Sequence, residues 1–137
     1  MATDVERALR GMVRTGTVSA VYPERDTARV TFDDKDGTSS PELHIMHRFS
    51  GKNKDYWVPD IGDQAVCLFA NNDKNFSTGW ILGSYFTDKQ PPQAASADVM
   101  RLDFADGSYI EYDRSNSTLT VNVVGAVVIQ GATINLN

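Results

Sequence analysis

The sequence predicts an all-β protein: a short N-terminal helix, then a small closed barrel, then a β-stranded tail. Three observations carry this. From Arg14 onward, apolar residues recur with a period of two rather than 3.6. The runs are short and are punctuated by polar or glycine-containing turns. A stretch with Pro91-Pro92 and Ala94-Ala95-Ser96-Ala97 separates two regions of different pattern.

Residues 1–13 predict the helix. Thr3 and Glu6 have the spacing of a capping box, and Val5, Leu9 and Met12 fall on one face. A helix this short is marginal alone and needs a surface to pack on. Residues 14–86 predict the barrel. Val18, Ala20 and Tyr22 alternate with Thr17, Ser19 and Val21. Pro23-Glu24-Arg25-Asp26 turns the chain, and Ala28, Val30 and Phe32 alternate with Thr27, Arg29 and Thr31, which gives a hairpin. Asp33 to Pro41 is a polar loop with Asp36-Gly37 as its turn signal. Leu43 and Ile45 mark a short third strand, and Phe49 to Tyr56 is a second polar loop. Pro59 excludes a central strand and Gly62 marks a tight turn. Gln64 to Ala70 is apolar nearly throughout, which predicts a strand buried on both faces. Residues 71–75 form a polar loop, and Gly79 to Tyr85 is the fifth strand. Short connections suggest antiparallel pairing. Five such strands with glycines at bends fit a closed Greek-key barrel, for which the OB-fold is the leading candidate.

Residues 87–97 are a linker, and residues 98–137 are the tail. Met100, Leu102 and Phe104 alternate, Asp106-Gly107 turns the chain, and Tyr109 to Tyr112 is a strand. Arg114 to Ser117 turns it again, and Leu119, Val121, Val123, Val127 and Ile129 hold odd positions. After Gly131 the apolar positions become even, at Ile134 and Leu136, which implies a turn or bulge there. A tail of this length cannot bury enough surface alone without a disulfide, a metal or a partner. No charged side chain occurs after Arg114. Open strand edges in such a segment either aggregate or close into a symmetric assembly, with Thr120, Asn122 and Asn135 facing water.

Composition removes several functions. The net charge is −5, which argues against a nucleic-acid partner, whose phosphates need clustered Lys and Arg. The single cysteine, Cys67, lies in an apolar run and reads as a buried apolar residue rather than a nucleophile. No apolar run is long enough to span a membrane, and the N-terminus lacks a signal-peptide layout, so a cytosolic product is expected. His44 and His47, three apart in the third strand, fall on opposite faces and do not converge on a metal. Asp33, Asp34 and Asp36 lack the closing Glu of an EF-hand and read as a solvated loop. No nucleophile elbow, P-loop or dinucleotide turn is present, so neither catalytic residues nor a cofactor are expected. Trp57 and Trp80 are read as barrel core or interface.

Several blocks in order resemble the baseplate assembly protein V family of contractile phages. They are Gly16-Thr17-Val18-Ser19-Ala20-Val21 with Ala28-Arg29-Val30-Thr31-Phe32, and Tyr56-Trp57-Val58-Pro59-Asp60-Ile61-Gly62-Asp63-Gln64-Ala65. Next come Gly79-Trp80-Ile81-Leu82-Gly83-Ser84-Tyr85 with Pro91-Pro92, and Asp106-Gly107-Ser108-Tyr109-Ile110-Glu111-Tyr112-Asp113. The chain is similar, more distantly, to the hub-and-spike proteins of type VI secretion systems and contractile bacteriocins. The resemblance implies an OB-fold barrel and a homotrimer with a short β-helix or β-prism spike, placed in the virion tail baseplate. It implies contacts with other baseplate and tail-tube proteins and passage into the target cell envelope when the sheath contracts, with the alternatives open that a separate spike-tip protein caps a short spike or that the chain ends before the tip. On that basis Leu119, Val121, Val123, Val127, Ile129, Ile134 and Leu136 are the trimer-core candidates. The His-x-His metal segment near the tip of longer members has no counterpart, since the only histidines are His44 and His47. The rival reading is an OB-fold module for single-stranded nucleic acid, or for carbohydrate through Tyr109, Tyr112 or the loop aromatics.

Overall fold

A computed structural model of the chain describes residues 3–34, 37–70 and 77–137. The chain divides into two compact units, Met1–Gln90 and Pro91–Asn137. The first begins with helix α1, Asp4–Gly11, whose capping box is complete. The Glu6 N–H donates to Thr3 Oγ1 at 3.1 Å, and the Thr3 N–H donates to Glu6 Oε2 at 3.4 Å.

Five strands follow: β1 (Val13–Tyr22), β2 (Thr27–Phe32), β3 (Leu43–Ile45), β4 (Gln64–Phe69) and β5 (Gly79–Gly83). They close into a barrel in the order β1-β2-β3-β5-β4, with β1 pairing both β2 and β4. The expected all-antiparallel arrangement is corrected at one seam, where β3 and β5 run parallel through His44↔Trp80 and Ile45↔Ile81. The reason is topological. A closed ring of five strands cannot alternate direction throughout, because five is odd.

The core is the inward row of each strand: Val18, Ala28, Val30, Phe32, Leu43, Ala65, Cys67, Phe69 and Ile81. Phe32 and Phe69 meet edge to face with centroids 5.7 Å apart. Two expectations change here. In β1 the pairing with β2 slips between Val18 and Ala20, so Ser19 is the extra residue of a bulge. The faces swap after it, and Val21, not Ala20 or Tyr22, packs against the core. In β4 only Ala65, Cys67 and Phe69 are buried, while Gln64, Val66 and Leu68 are half-buried. The strand therefore serves one core, not two.

The turn at Asp60–Asp63 locks the β1–β4 seam. Gly62, at φ 101°, donates its N–H to Val18 O at 2.9 Å, and the Val18 N–H donates to Asp63 O at 2.9 Å. That φ favours glycine. The loop after β2 folds back on its own strand. Ser40, 2% exposed, accepts the Val30 N–H at 3.0 Å and donates to Pro41 O at 2.7 Å. The turn residue Asp36 and the loop 71–75 lie outside the described residues.

The second unit is a three-stranded antiparallel meander, β6 (Val99–Asp103), β7 (Tyr109–Asp113) and β8 (Thr118–Asn122). Asp106 holds the first turn by accepting the Ser108 N–H at 2.9 Å, and Asp113 holds the second by accepting from Ser115 Oγ at 2.6 Å and from the Ser115 N–H at 2.9 Å. These bonds place both carboxyls below the ordinary aspartate range. The strands expected beyond Val123 do not form within one chain. Residues 123–137 carry no strand and are exposed throughout, so the reset at Gly131 has no ladder to shift.

Two outcomes test this account. A Cβ on Gly16 would lie 2.4 Å from Thr31 O and 2.5 Å from Val30 Cγ1, whereas one on Gly51 meets nothing within 4 Å. Denaturant unfolding is expected to show Gly16→Ala destabilised by about 1–3 kcal/mol and Gly51→Ala nearly unchanged. The second outcome concerns acid. The Asp106 and Asp113 carboxyls are depressed in the fold, so their stabilisation is complete above the unfolded aspartate range and is lost as pH falls through the folded values. Amide protection factors in β6–β8, taken relative to intrinsic exchange at each pH, are expected to fall on acidification, and to respond less to acid in Asp106→Asn.

Candidate assembly surface

Residues directly opposite in an antiparallel ladder share one face of the sheet. In β6–β8 this rule separates two surfaces. The rows Met100–Tyr112–Leu119 and Leu102–Ile110–Val121 form one face, and every side chain on it is apolar or aromatic. Five of these six are exposed, from Tyr112 at 40% to Met100 at 67%, and Ile110 is half-buried. Phe104 and Val123, just beyond the strand ends, are also exposed.

The other face is polar. Arg101 donates through Nη1 to Glu111 Oε1 and through Nε to Asp103 Oδ1, both at 2.9 Å, and its guanidinium lies 3.8 Å over the Tyr109 ring. Asp103 first, then Glu111, hold the Arg101 pKa above its usual range. Asp113, Thr118, Thr120 and Asn122 share this face, with Val99 as its one aliphatic member. One side is thus mostly polar, with its charges paired, and the other is an apolar and aromatic face that is largely exposed.

The apolar character continues past the sheet. The Val124 N–H donates to the buried Ser108 Oγ at 3.0 Å, which ties the start of the segment to the β6–β7 turn. Beyond it Val124, Val127, Val128, Ile129, Ile134 and Leu136 are all at least half exposed. Of the residues expected to line an assembly core, Leu119 and Val121 share the apolar face, while Val123, Val127, Ile129, Ile134 and Leu136 lie in or at the strand-free segment. Sequence reasoning did not assign Met100, Leu102, Ile110 and Tyr112 to that surface. Their signal was present in the period-two alternation of β6 and β7, but their common face depends on cross-strand register.

The remaining candidates fall elsewhere. β3 ends at Ile45, so His47 is not on that strand, which corrects the reading of two opposed strand histidines. His44 is exposed on β3, while His47 Nε2 is 2.7 Å from Asp26 Oδ2. Among the described residues no group of three or more His, Cys, Asp or Glu is arranged to hold a metal ion. Asp33 accepts from Thr15 Oγ1 and Gln64 Nε2, each at 2.8 Å, and Asp34 pairs with Arg14. Burial pushes the Cys67 thiol up to about 11, which keeps it protonated and unreactive. Neither tryptophan belongs to the buried core. Trp57 is 57% exposed, and Trp80 is half-buried because Ile81 takes the inward position on β5. Tyr109 and Tyr112 lie on opposite faces of the sheet and cannot form one stacking platform.

Comparison with known proteins agrees with this architecture. Residues 14–86 match the family described as Type VI secretion system/phage-baseplate injector OB domain. The Spike protein of Escherichia phage P2 is 29% identical over 119 residues, which cover 87% of this chain and 54% of that protein. The chain therefore spans about half the length of the curated relative it matches. With the family match covering the whole five-stranded barrel, the chain belongs to the phage-baseplate and type VI secretion injector OB-domain family.

Proposed function

We propose that this chain is a structural, non-enzymatic subunit of a contractile phage-tail baseplate, in which three copies form the central hub and the base of the spike. The observation that carries the reading is the wholly apolar, exposed face of the β6–β8 sheet. Burying a large apolar side chain contributes about 1.5–3 kcal/mol, so covering this face stabilises an assembly strongly. Closed symmetry lets each copy cover the next and satisfies the outer edges of β6 and β8. The family resemblance supplies the number three. In this assembly Leu119, Val121, Val123, Val127, Ile129, Ile134 and Leu136 form the trimer core, joined by Met100, Leu102, Ile110 and Tyr112. The segment 123–137 becomes a β-helical or β-prism stem.

The trimer caps the tail tube, binds neighbouring baseplate proteins and a separate tip protein, and helps penetrate the bacterial envelope. Its place is the virion baseplate, after assembly in the host cytoplasm. The name of the phage P2 relative, a spike protein, supports this role. A second reading, a single-stranded nucleic-acid or carbohydrate module, draws on Arg48, Lys52 and Lys54 beside the exposed Phe49 and Tyr56. Against nucleic acid stand the net charge of −5 and the pairing of Arg48 with Asp55.

Sedimentation of the intact protein tests the proposal. The expected mass is that of three 15.1 kDa chains. Val121→Asp places an unpaired carboxylate in the apolar face, a cost of several kcal/mol, and is expected to yield single chains with the barrel still folded. Asn122→Asp, on the polar face, is expected to keep the trimer. A stable single chain for the unsubstituted protein would contradict the proposal.

A further inference from the structure

The outer edges of the β6–β8 sheet carry no defence against another strand. β8 reads Thr118-Leu119-Thr120-Val121-Asn122, with no charged side chain and no proline. Both ladders of the sheet keep an unbroken register, without a bulge. Charge, proline and bulges are the devices that keep an edge strand from pairing with another chain. The cation of β6, Arg101, is held within its own sheet by Glu111 and Asp103. A β8 edge laid against a β6 edge therefore brings no unpaired charge to the seam.

Strand direction limits how copies can join. β6 and β8 both run antiparallel to β7, so they run parallel to each other. Rotation about an axis along the strands preserves strand direction. In a cyclic ring, β8 of one copy then meets β6 of the next as a parallel pair, and every edge is used. A two-fold pairing, β8 on β8 or β6 on β6, uses one edge of each sheet and leaves the other open. Closure also turns one face of every sheet inward, which shelters the Met100–Tyr112–Leu119 and Leu102–Ile110–Val121 rows together.

Each copy brings three strands to such a ring. A closed ring of about eight strands has an interior that side chains just fill. Two copies give six strands, three give nine and four give twelve. Nine comes closest, and its slightly wider interior suits an inner face of Met, Leu, Ile, Tyr and Val. Strand geometry thus favours three copies without appeal to the family.

We propose that the seam between copies is a parallel β8–β6 pair, and that three sheets close into a nine-stranded ring with the apolar rows inside. Inward residues stay inward across the seam, so the rows of the two strands are offset by zero or an even number of residues. β6 begins and β8 ends at opposite ends of the sheet, so all three 123–137 segments leave the ring from one end. The seam rests on the homotrimeric reading above and specifies how its copies join.

Cysteine pairing in the full chain tests it. Thr118, Thr120 and Asn122 on β8, and Val99 and Asp103 on β6, lie on the outward face. Each double variant replaces one of them on each strand by cysteine. Within one sheet β6 and β8 are two strand spacings apart, about 9.5 Å, beyond the ~7 Å reach of a disulfide. The native Cys67 is buried and does not compete. Any bridge therefore joins two copies. Mild oxidation is expected to give a covalent ladder that ends at three chains, at least tenfold above the single-cysteine variants. Val99→Cys is expected to favour a lower-numbered β8 position than Asp103→Cys does, as a parallel pair requires. The reverse order overturns the seam. So does a ladder that ends at two chains or runs beyond three, or a bridge formed by Thr120→Cys alone. Sedimentation is measured on the same samples. A trimer with no bridge above the single-cysteine variants overturns the seam and leaves the trimer standing. A single-chain mass overturns both.

Discussion

The register of the β6–β8 meander is the constraint on which the functional account depends. A ladder with a period of two has no freedom to mix its faces. Once Leu102, Ile110 and Val121 are opposite one another, Met100, Tyr112 and Leu119 must join them. Arg101, Glu111 and Tyr109 are then forced to the other side, where they satisfy each other. The sheet has one solvated face and one face that water disfavours, and its outer strands leave open edges. The assembly proposed above would cover that face and those edges with further copies of the chain.

The barrel answers a different constraint. Closing five strands requires one parallel seam, and β3–β5 provides it. The long β1 must also serve two neighbours, and it does so by bulging at Ser19 and by letting β2 approach closely at Gly16. The Asp60–Asp63 turn then satisfies the Val18 backbone on the β4 side. These features hold the five strands of the barrel in register.

Much of this was legible in the sequence because it is local. The capping box at Thr3 and Glu6, the β2 core row and the Asp106-Gly107 turn each follow from neighbouring residues. What was misread depends on distant residues. The Ser19 bulge swaps Ala20 for Val21 in the core, and it is set by pairing with Arg29 on another strand. The half-covered face of Gln64, Val66 and Leu68 depends on what lies outside the barrel wall. Of the assembly surface, the Leu119–Val121 edge was visible from alternation. The contribution of Met100, Leu102, Ile110 and Tyr112 required the register between strands. The parallel seam needed no residue at all, only the parity of the strand count.

Hydrogen exchange in the intact chain tests the central claim most directly, read at the amides of residues 118–137 at micromolar concentration. If copies seal the apolar face and pair the open edges, these amides are protected, and the protection falls on dilution toward single chains. Exchange at unprotected rates through 123–137, with barrel strands such as β2 and β4 still protected, would contradict the account. It would mean that the apolar face and the charge-free segment stand open to water.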